Sequence, residues 1–159
     1  MRSCALAVAL LSLISLMAGC GGGGGGTQPT APANSVVIKS VGAATTLYGV
    51  GFKLQLPPGV TLATQGNGAL AAGALVSSGG AADANFAANY DSGVSPQTVT
   101  VSLTKASGFP VGEFMTVIPV LAQGTALVPG DFVLSDFKAY DNLTTGSPAP
   151  LITGTVTAP

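Results

Sequence analysis

Histidine and tryptophan are absent from this chain of 159 residues, and charged side chains make up only 7% of it. The lack of histidine excludes Ser-His-Asp and Cys-His catalytic arrangements and zinc sites built on imidazole. A glycosidase needs two carboxylates that face each other, whereas single acidic residues beside glycine and proline are typical of turns. The sequence therefore predicts a protein that is not an enzyme and that uses no cofactor.

An excess of charge of one sign is also missing. Five basic residues stand against six acidic ones, which gives a formal net charge of −1. Domains that bind nucleic acid carry a basic patch or stripe, so we expect no nucleic-acid partner. The two cysteines, Cys4 and Cys20, both lie near the start of the chain. The rest of the chain therefore contains no disulfide and no cysteine metal site.

The first twenty residues carry a targeting pattern. Arg2 precedes an apolar run of thirteen residues, Ala5 to Met17, which is shorter than the about 20 residues that span a bilayer. The run ends in Leu16-Met17-Ala18-Gly19-Cys20, which resembles the lipobox of bacterial lipoproteins. This resemblance implies cleavage after Gly19, so that residues 1–19 are a signal peptide and Cys20 becomes the acylated first residue.

An acylated Cys20 would anchor the protein to a membrane of the cell envelope, because two or more acyl chains hold a protein stably. Gly21 follows it, where an aspartate would commonly retain a lipoprotein in the inner membrane. In a diderm host we therefore expect the outer membrane, with the protein facing the periplasm or the cell surface. Residues 20–33 form a Gly-, Pro- and Thr-rich segment, which predicts a disordered tether because it can bury little apolar surface.

Residues 34–159 show the pattern of an all-β domain. From Leu47 to Leu56 apolar residues alternate with glycine or polar residues, and from Thr98 to Thr104 they alternate with hydroxyl-bearing ones, as in strands with one buried face. Seven further strand candidates are Ser35–Lys39, Val60–Ala63, Ala69–Val76, Asn85–Ala88, Phe114–Ala122, Phe132–Lys138 and Leu151–Thr157. About nine short strands separated by turns predict a β-sandwich, of immunoglobulin-like or jelly-roll type.

Two stretches depart from a regular sheet. Pro119 lies inside the candidate Phe114–Ala122, and because proline cannot donate to a central ladder, we expect this strand to be at an edge or interrupted by a bulge. The alanine-rich region Ala69–Ala88 is less regular, although its glycine pairs and its lack of a helical apolar stripe disfavour a helical turn.

The domain also resembles a known family in several short motifs. These are Phe52–Thr61, Val99–Leu103 followed by Gly108-Phe109, Gly112–Phe114 and Asp131-Phe132. The series is similar to the cohesin-type domains of the carbohydrate-binding-module superfamily, over roughly Val36 to Val156. Cohesins bind dockerin modules through one sheet face, and relatives bind polysaccharide. The resemblance thus implies a binding module, although fold alone does not define function.

Two sets of side chains are candidates for ligand contacts. Asp131, Asp136 and Asp141 could offer carboxylate oxygens to Ca²⁺, but their spacing of five residues matches no EF-hand loop, and we predict no metal site. Tyr90 and Tyr140 each lie beside an aspartate in an expected turn, which makes them the candidate exposed aromatic contacts of a ligand-binding surface.

Two functions from different classes follow from these patterns. The first is a lipid-anchored module that binds another protein through a sheet face or edge. The second is a carbohydrate-binding accessory lipoprotein that holds polysaccharide near the cell. The absence of tryptophan favours the first, because platforms that bind sugars typically use tryptophan or tyrosine.

Overall fold

The computed structural model describes residues 34–142, 148–149 and 151–159. The predicted signal peptide, the acylated Cys20 and the predicted tether of residues 20–33 lie outside the described residues. Within them, no helix is long and apolar enough to cross a bilayer.

The described residues form ten strands and two short 3-10 turns. The turns are Gly79–Ala81 and Pro129–Asp131. The strands are β1 (Val36–Val41), β2 (Thr46–Gln55), β3 (Val60–Leu62), β4 (Leu75–Ser77), β5 (Asn85–Asp91), β6 (Thr98–Pro110), β7 (Glu113–Val117), β8 (Pro119–Leu121), β9 (Val133–Tyr140) and β10 (Thr153–Thr157).

Eight of these strands build two antiparallel sheets of four strands each. The first sheet has the order β10-β1-β7-β4, and the second sheet has the order β5-β6-β2-β9. Strands β3 and β8 pair separately as a small two-stranded sheet. The chain passes directly from one large sheet to the other between β1 and β2, β4 and β5, β6 and β7, and β9 and β10. It also passes between them through the small sheet, from β2 by way of β3 to β4 and from β7 by way of β8 to β9. The predicted all-β architecture is therefore confirmed.

The two large sheets face each other across a single hydrophobic core. Phe114, fully buried in β7 of the first sheet, meets two rings of the second sheet. Its ring centroid lies 5.8 Å from that of Phe52 in an edge-to-face arrangement and 6.2 Å from that of Phe137. Offset and edge-to-face ring pairs add about 0.5–1.5 kcal/mol beyond area burial. These three rings link the layers of a β-sandwich.

The period-two pattern of β2 and β6 predicts their orientation correctly. Phe52 and Leu54 are buried, and Phe52 pairs with Val101 while Leu54 pairs with Val99. The pattern fails only at the start of β2, where the register shifts between Leu47 and Gly49. Leu47 is buried there in place of Tyr48, which is half-buried. At this point β6 has extra residues between Thr104 and Phe109, the partners of Gly49 and Leu47, so the regular ladder is interrupted.

Pro119 breaks the expected strand, but it does so by dividing the strand between two sheets and not by a bulge. The expected strand Phe114–Ala122 is two strands, β7 in the first sheet and β8 in the small sheet, which separate at Ile118. Pro119 opens β8 and pairs with Leu62, at the first position of a strand, where a missing N–H is tolerated.

The predicted strand Ala69–Val76 is mostly wrong. Only its last two residues belong to a strand, β4, and Leu70 makes an isolated bridge to Thr64. The backbone of the preceding residues is satisfied by local turns instead, since the Ala69 N–H donates to Asn67 Oδ1 at 3.1 Å and the Ala74 N–H donates to the Ala71 carbonyl at 3.1 Å. Side chains as small as alanine bury too little surface to favour a strand over these turns.

Candidate binding face and end cleft

The second sheet turns one side away from the core, and we call this side the outer face. Paired residues of neighbouring strands point to the same side of a sheet, so the register identifies its members. They are Asn85, Ala87, Asn89 and Asp91 of β5, Thr98, Thr100, Ser102 and Thr104 of β6, Gly49, Gly51, Lys53 and Gln55 of β2, and Val133, Ser135, Lys138 and Tyr140 of β9.

Hydroxyl, amide and glycine residues make up most of the outer face. Thr100, Ser102 and Thr104 on the inner strand β6 are exposed. The face carries three charged side chains, Lys53, Lys138 and Asp91. Such a surface offers many neutral hydrogen-bond donors and acceptors and little net charge. It is suited to recognition by complementary hydrogen bonds and shape.

Gly51 leaves a shallow depression in this face. A methyl group placed on Gly51 would find its nearest heavy atom 3.8 Å away, the Val101 carbonyl oxygen, so the space above Gly51 is open. Gly49 is buried, and the same group there would lie 3.2 Å from the Leu103 carbonyl oxygen and 3.7 Å from Cδ2 of Tyr140. The ring of Tyr140 therefore lies over Gly49 and forms one wall of the depression.

Tyr140 and Tyr90, the two aromatic candidates, do not share a surface. Tyr140 ends β9 and lies half-buried on the outer face, whereas Tyr90 lies within β5 on the opposite side, against the core. The Tyr90 hydroxyl accepts a hydrogen bond from the Leu62 N–H at 3.2 Å and donates one to Oε1 of Gln97. Neither tyrosine lies in a turn, and Tyr90 uses its hydroxyl to connect three segments of the fold.

A cleft of about 810 Å³ opens at one end of the second sheet, and we call it the end cleft. Its walls are the β2–β3 turn, the β5–β6 loop and the start of β9. The polar side chains in it include Gln55, Gln97 and Asp131, which is the single carboxylate among its lining residues. Because Gln55 and Val133 belong both to the cleft and to the outer face, the two surfaces are continuous.

Local sequence explains the two walls of the end cleft. In the β2–β3 turn the Val60 N–H donates to the Pro57 carbonyl at 3.1 Å, and Gly59 adopts φ +78°, as the third residue of a type II turn requires. In the β5–β6 loop, Oδ1 of Asp91 accepts the Gly93 N–H at 3.1 Å. The β5–β6 loop is attached to the end of β2, because the Leu56 N–H donates to the Gln97 carbonyl at 2.9 Å.

The three aspartates weighed as calcium ligands lie at different places. Asp131 lines the end cleft, Asp136 lies within β9, and Asp141 follows β9. In residues 34–142, 148–149 and 151–159 there is no group of three or more acidic or cysteine side chains that could hold a metal ion.

Asp136 also departs from the alternation that the sequence suggests. That alternation places Asp136 on the same side as Leu134, but the register shifts between Gly51 and Lys53, which pair with Lys138 and Ser135. Asp136 adopts φ +53° at this bulge and is exposed. The extra residue turns the carboxylate to solvent and Phe137 toward the core, which avoids the large cost of burying an unpaired charge.

Comparison of the chain with models of known families, with curated proteins and with solved structures found no match. The sheet topology defines the class of an antiparallel β-sandwich. The candidate binding surfaces of this sandwich are the outer face and the end cleft.

Proposed function

We propose that this protein is a lipid-anchored lipoprotein of the cell envelope whose β-sandwich, of cohesin-like type, is a non-catalytic module for binding another protein. The observation that carries the proposal is the outer face of the second sheet. It presents exposed hydroxyl and amide side chains on regular strands, and Thr100, Ser102 and Asn89 are among them.

The size of the outer face is compatible with a protein partner. Four strands about 4.8 Å apart and four outward residues about 6.8 Å apart along each strand give a patch of roughly 300–500 Å². A typical specific interface covers about 800 Å² on each partner. The contiguous end cleft, with the exposed Val94 and Val133 at its margin, supplies apolar area beyond the patch itself.

The chemistry of the outer face favours reversible recognition. Neutral hydroxyl and amide groups cost less to desolvate than charges, and they give specificity when the partner completes their hydrogen bonds. The depression above Gly51 accepts a protruding side chain of the partner. With so few charges, binding should depend only weakly on salt concentration.

Attachment to the membrane rests on Cys20 in this proposal. The lipobox resemblance supports acylation of Cys20. Residues 34–159 carry four lysines and six acidic residues, a formal charge of −2, which gives the domain no general attraction to an anionic lipid surface. The acyl chains would then place the binding module at the membrane.

A substitution at the centre of the outer face tests the proposal. Ser102→Arg places a long charged side chain between β5 and β2, whereas Thr153→Arg places the same side chain at an exposed position of the first sheet. Each full-length protein is used to capture partners from host membrane extracts. Capture of one protein species that Ser102→Arg abolishes and Thr153→Arg preserves supports the proposal. Equal capture by all three proteins contradicts it.

A second candidate function, carbohydrate binding, is favoured by the end cleft. Gln55, Gln97 and Asp131 are side chains that can bond sugar hydroxyls. We compare retention on immobilised polysaccharides of the wild type, Asp131→Ala and Tyr140→Ala. Retention that is lost in Asp131→Ala would favour the carbohydrate function over protein binding. Tyr90 is less suitable for this test, because its hydroxyl holds Leu62 and Gln97.

A further inference from the structure

Strand β5 is a long edge of the second sheet without protection. It contains seven residues, Asn85–Asp91, and pairs with β6 along its whole length without a register shift. Among the described residues, no strand pairs with its other side. Edge strands of stable proteins are usually shortened, bent by a bulge or guarded by lysine or proline, because their free N–H and C=O groups attract another strand.

The edges at the two sides of the sandwich differ in this respect. The first sheet has two edge strands, β4 with three residues and β10 with five. Strand β10 also lacks lysine, arginine, proline and a register shift, so β5 is the longer of two unguarded edges. Strand β9, the other edge of the second sheet, contains the bulge at Asp136 and an outward lysine, Lys138. Strand β5 has no lysine, no arginine, no proline and no bulge.

The sequence of β5 is complementary to itself in the antiparallel direction. If two copies pair about Ala88, then Asn85 of each lies opposite Asp91 of the other, and Phe86 opposite Tyr90. An amide N–H₂ can donate to a carboxylate, and cross-strand aromatic pairs stabilise a sheet. The two Asp91 carboxylates, the only charges of the strand, are then about 20 Å apart.

The exposure of Phe86 agrees with this arrangement. Its side chain belongs to the inner side of β5, yet it is 39% exposed and borders a groove of about 290 Å³ lined by Ala69–Gly73, Leu75 and Ala88. An aromatic ring of a partner strand opposite Phe86 would cover this exposed surface. The register about Ala88 places Tyr90 of the second copy there.

We propose that β5 is the contact surface for a second copy of this chain, through antiparallel pairing of the two β5 strands about Ala88. Paired residues point to the same side, so the two second sheets join into one sheet of eight strands. Both outer faces then lie on the same side of the dimer, and the pair presents two binding faces together. This inference does not depend on the identity of the partner that the outer face binds.

The dimer is expected to be weak in dilute solution. Pairing of two seven-residue strands buries less than the roughly 1,200 Å² at the lower limit of stable interfaces. Confinement of two copies to one surface raises their effective concentration.

The test uses opposite substitutions at one exposed position. Within a protomer Asn85 pairs with Thr104 and Asp91 pairs with Thr98, so a charge at residue 85 has no charged neighbour across the strand pair with β6. In the dimer Asn85→Lys would face Asp91 and tighten association, whereas Asn85→Asp would face the same carboxylate and weaken it. With two such pairs in each dimer, we expect the dissociation constant to change by about two- to thirty-fold in each direction.

Sedimentation of the full chain in detergent, from about 10 μM to about 1 mM, measures the association. Gln123→Lys and Gln123→Asp make the same charge changes in an exposed loop and should leave the dissociation constant unchanged. Opposite shifts for the two Asn85 variants, with no shift for the Gln123 variants, support the proposal. A wild type that stays monomeric throughout, or equal shifts in both Asn85 variants, overturns it.

Discussion

Replacement of Phe114 tests how the two sheets are held together. Phe114→Ala removes a fully buried ring, which costs about 3–5 kcal/mol in protein cores. This approaches the total stability of a marginal domain, about 5 kcal/mol at the low end, so the milder Phe114→Leu is the better probe. Leucine keeps most of the apolar volume but loses the ring contacts with Phe52 and Phe137, and we expect a loss of about 1–3 kcal/mol.

Urea unfolding followed by circular dichroism measures this loss. With a urea dependence of about 1–3 kcal/mol per molar, the midpoint should fall by roughly 0.5–2 M. Phe86→Leu is the matched control, because Phe86 is 39% exposed and, at protein concentrations too low for two β5 strands to pair, its replacement should cost less than that of the fully buried Phe114. A double-mutant cycle of Phe114→Leu with Phe52→Leu should give a coupling of about 0.5–1.5 kcal/mol. Equal midpoints for the Phe114 and Phe86 variants would refute the packing of the two sheets about Phe114.

Three further predictions concern the bulge, the register of β2 and the anchor. Asp136 adopts φ +53°, so Asp136→Val should lower the free energy of unfolding by about 1–3 kcal/mol, while Asp136→Gly should not. Similar melting temperatures for the two variants would count against the left-handed backbone at this residue. Leu54→Ala should cost about 2–5 kcal/mol and Lys53→Ala less than about 0.5 kcal/mol, so denaturant midpoints that change equally would show a wrong register. Cys20→Ser should move the protein from the membrane fraction to the soluble fraction, and mass spectrometry showing an unmodified Cys20 in the wild type would exclude the anchor.

The elements that the sequence predicts well are stretches of strand in which one face is buried without interruption. From Val50 to Gln55 in β2 and from Val99 to Thr104 in β6 each buried residue is followed by a glycine or polar residue, so the period of two defines both the strand and its inward side. Pro119 is predictable for a related reason, since the missing N–H is a property of one residue. Local chemistry is sufficient in these cases.

The features that the sequence does not predict depend on contacts between distant residues. The bulge at Asp136 is invisible in the alternation, because it becomes favourable only when Phe137 packs against Phe114. The position of Tyr90 depends on Gln97 and Leu62, of which Leu62 is 28 residues away. The Thr-rich pattern of β6 indicates that one side of this strand is solvated. That residues of β5, β2 and β9 complete the outer face follows only from the pairing of the four strands.

The most direct test of the proposed binding face is the mapping of amide chemical shifts by NMR. The isotope-labelled protein is titrated with the protein recovered from membrane extracts. We predict shifts centred on Gly51, Thr100 and Ser102, extending toward the end cleft through Gln55, while the first sheet stays unchanged. Shifts confined to β10 and β4 of the first sheet, with Gly51 and Ser102 unaffected, would contradict the assignment of the outer face as the site of partner binding.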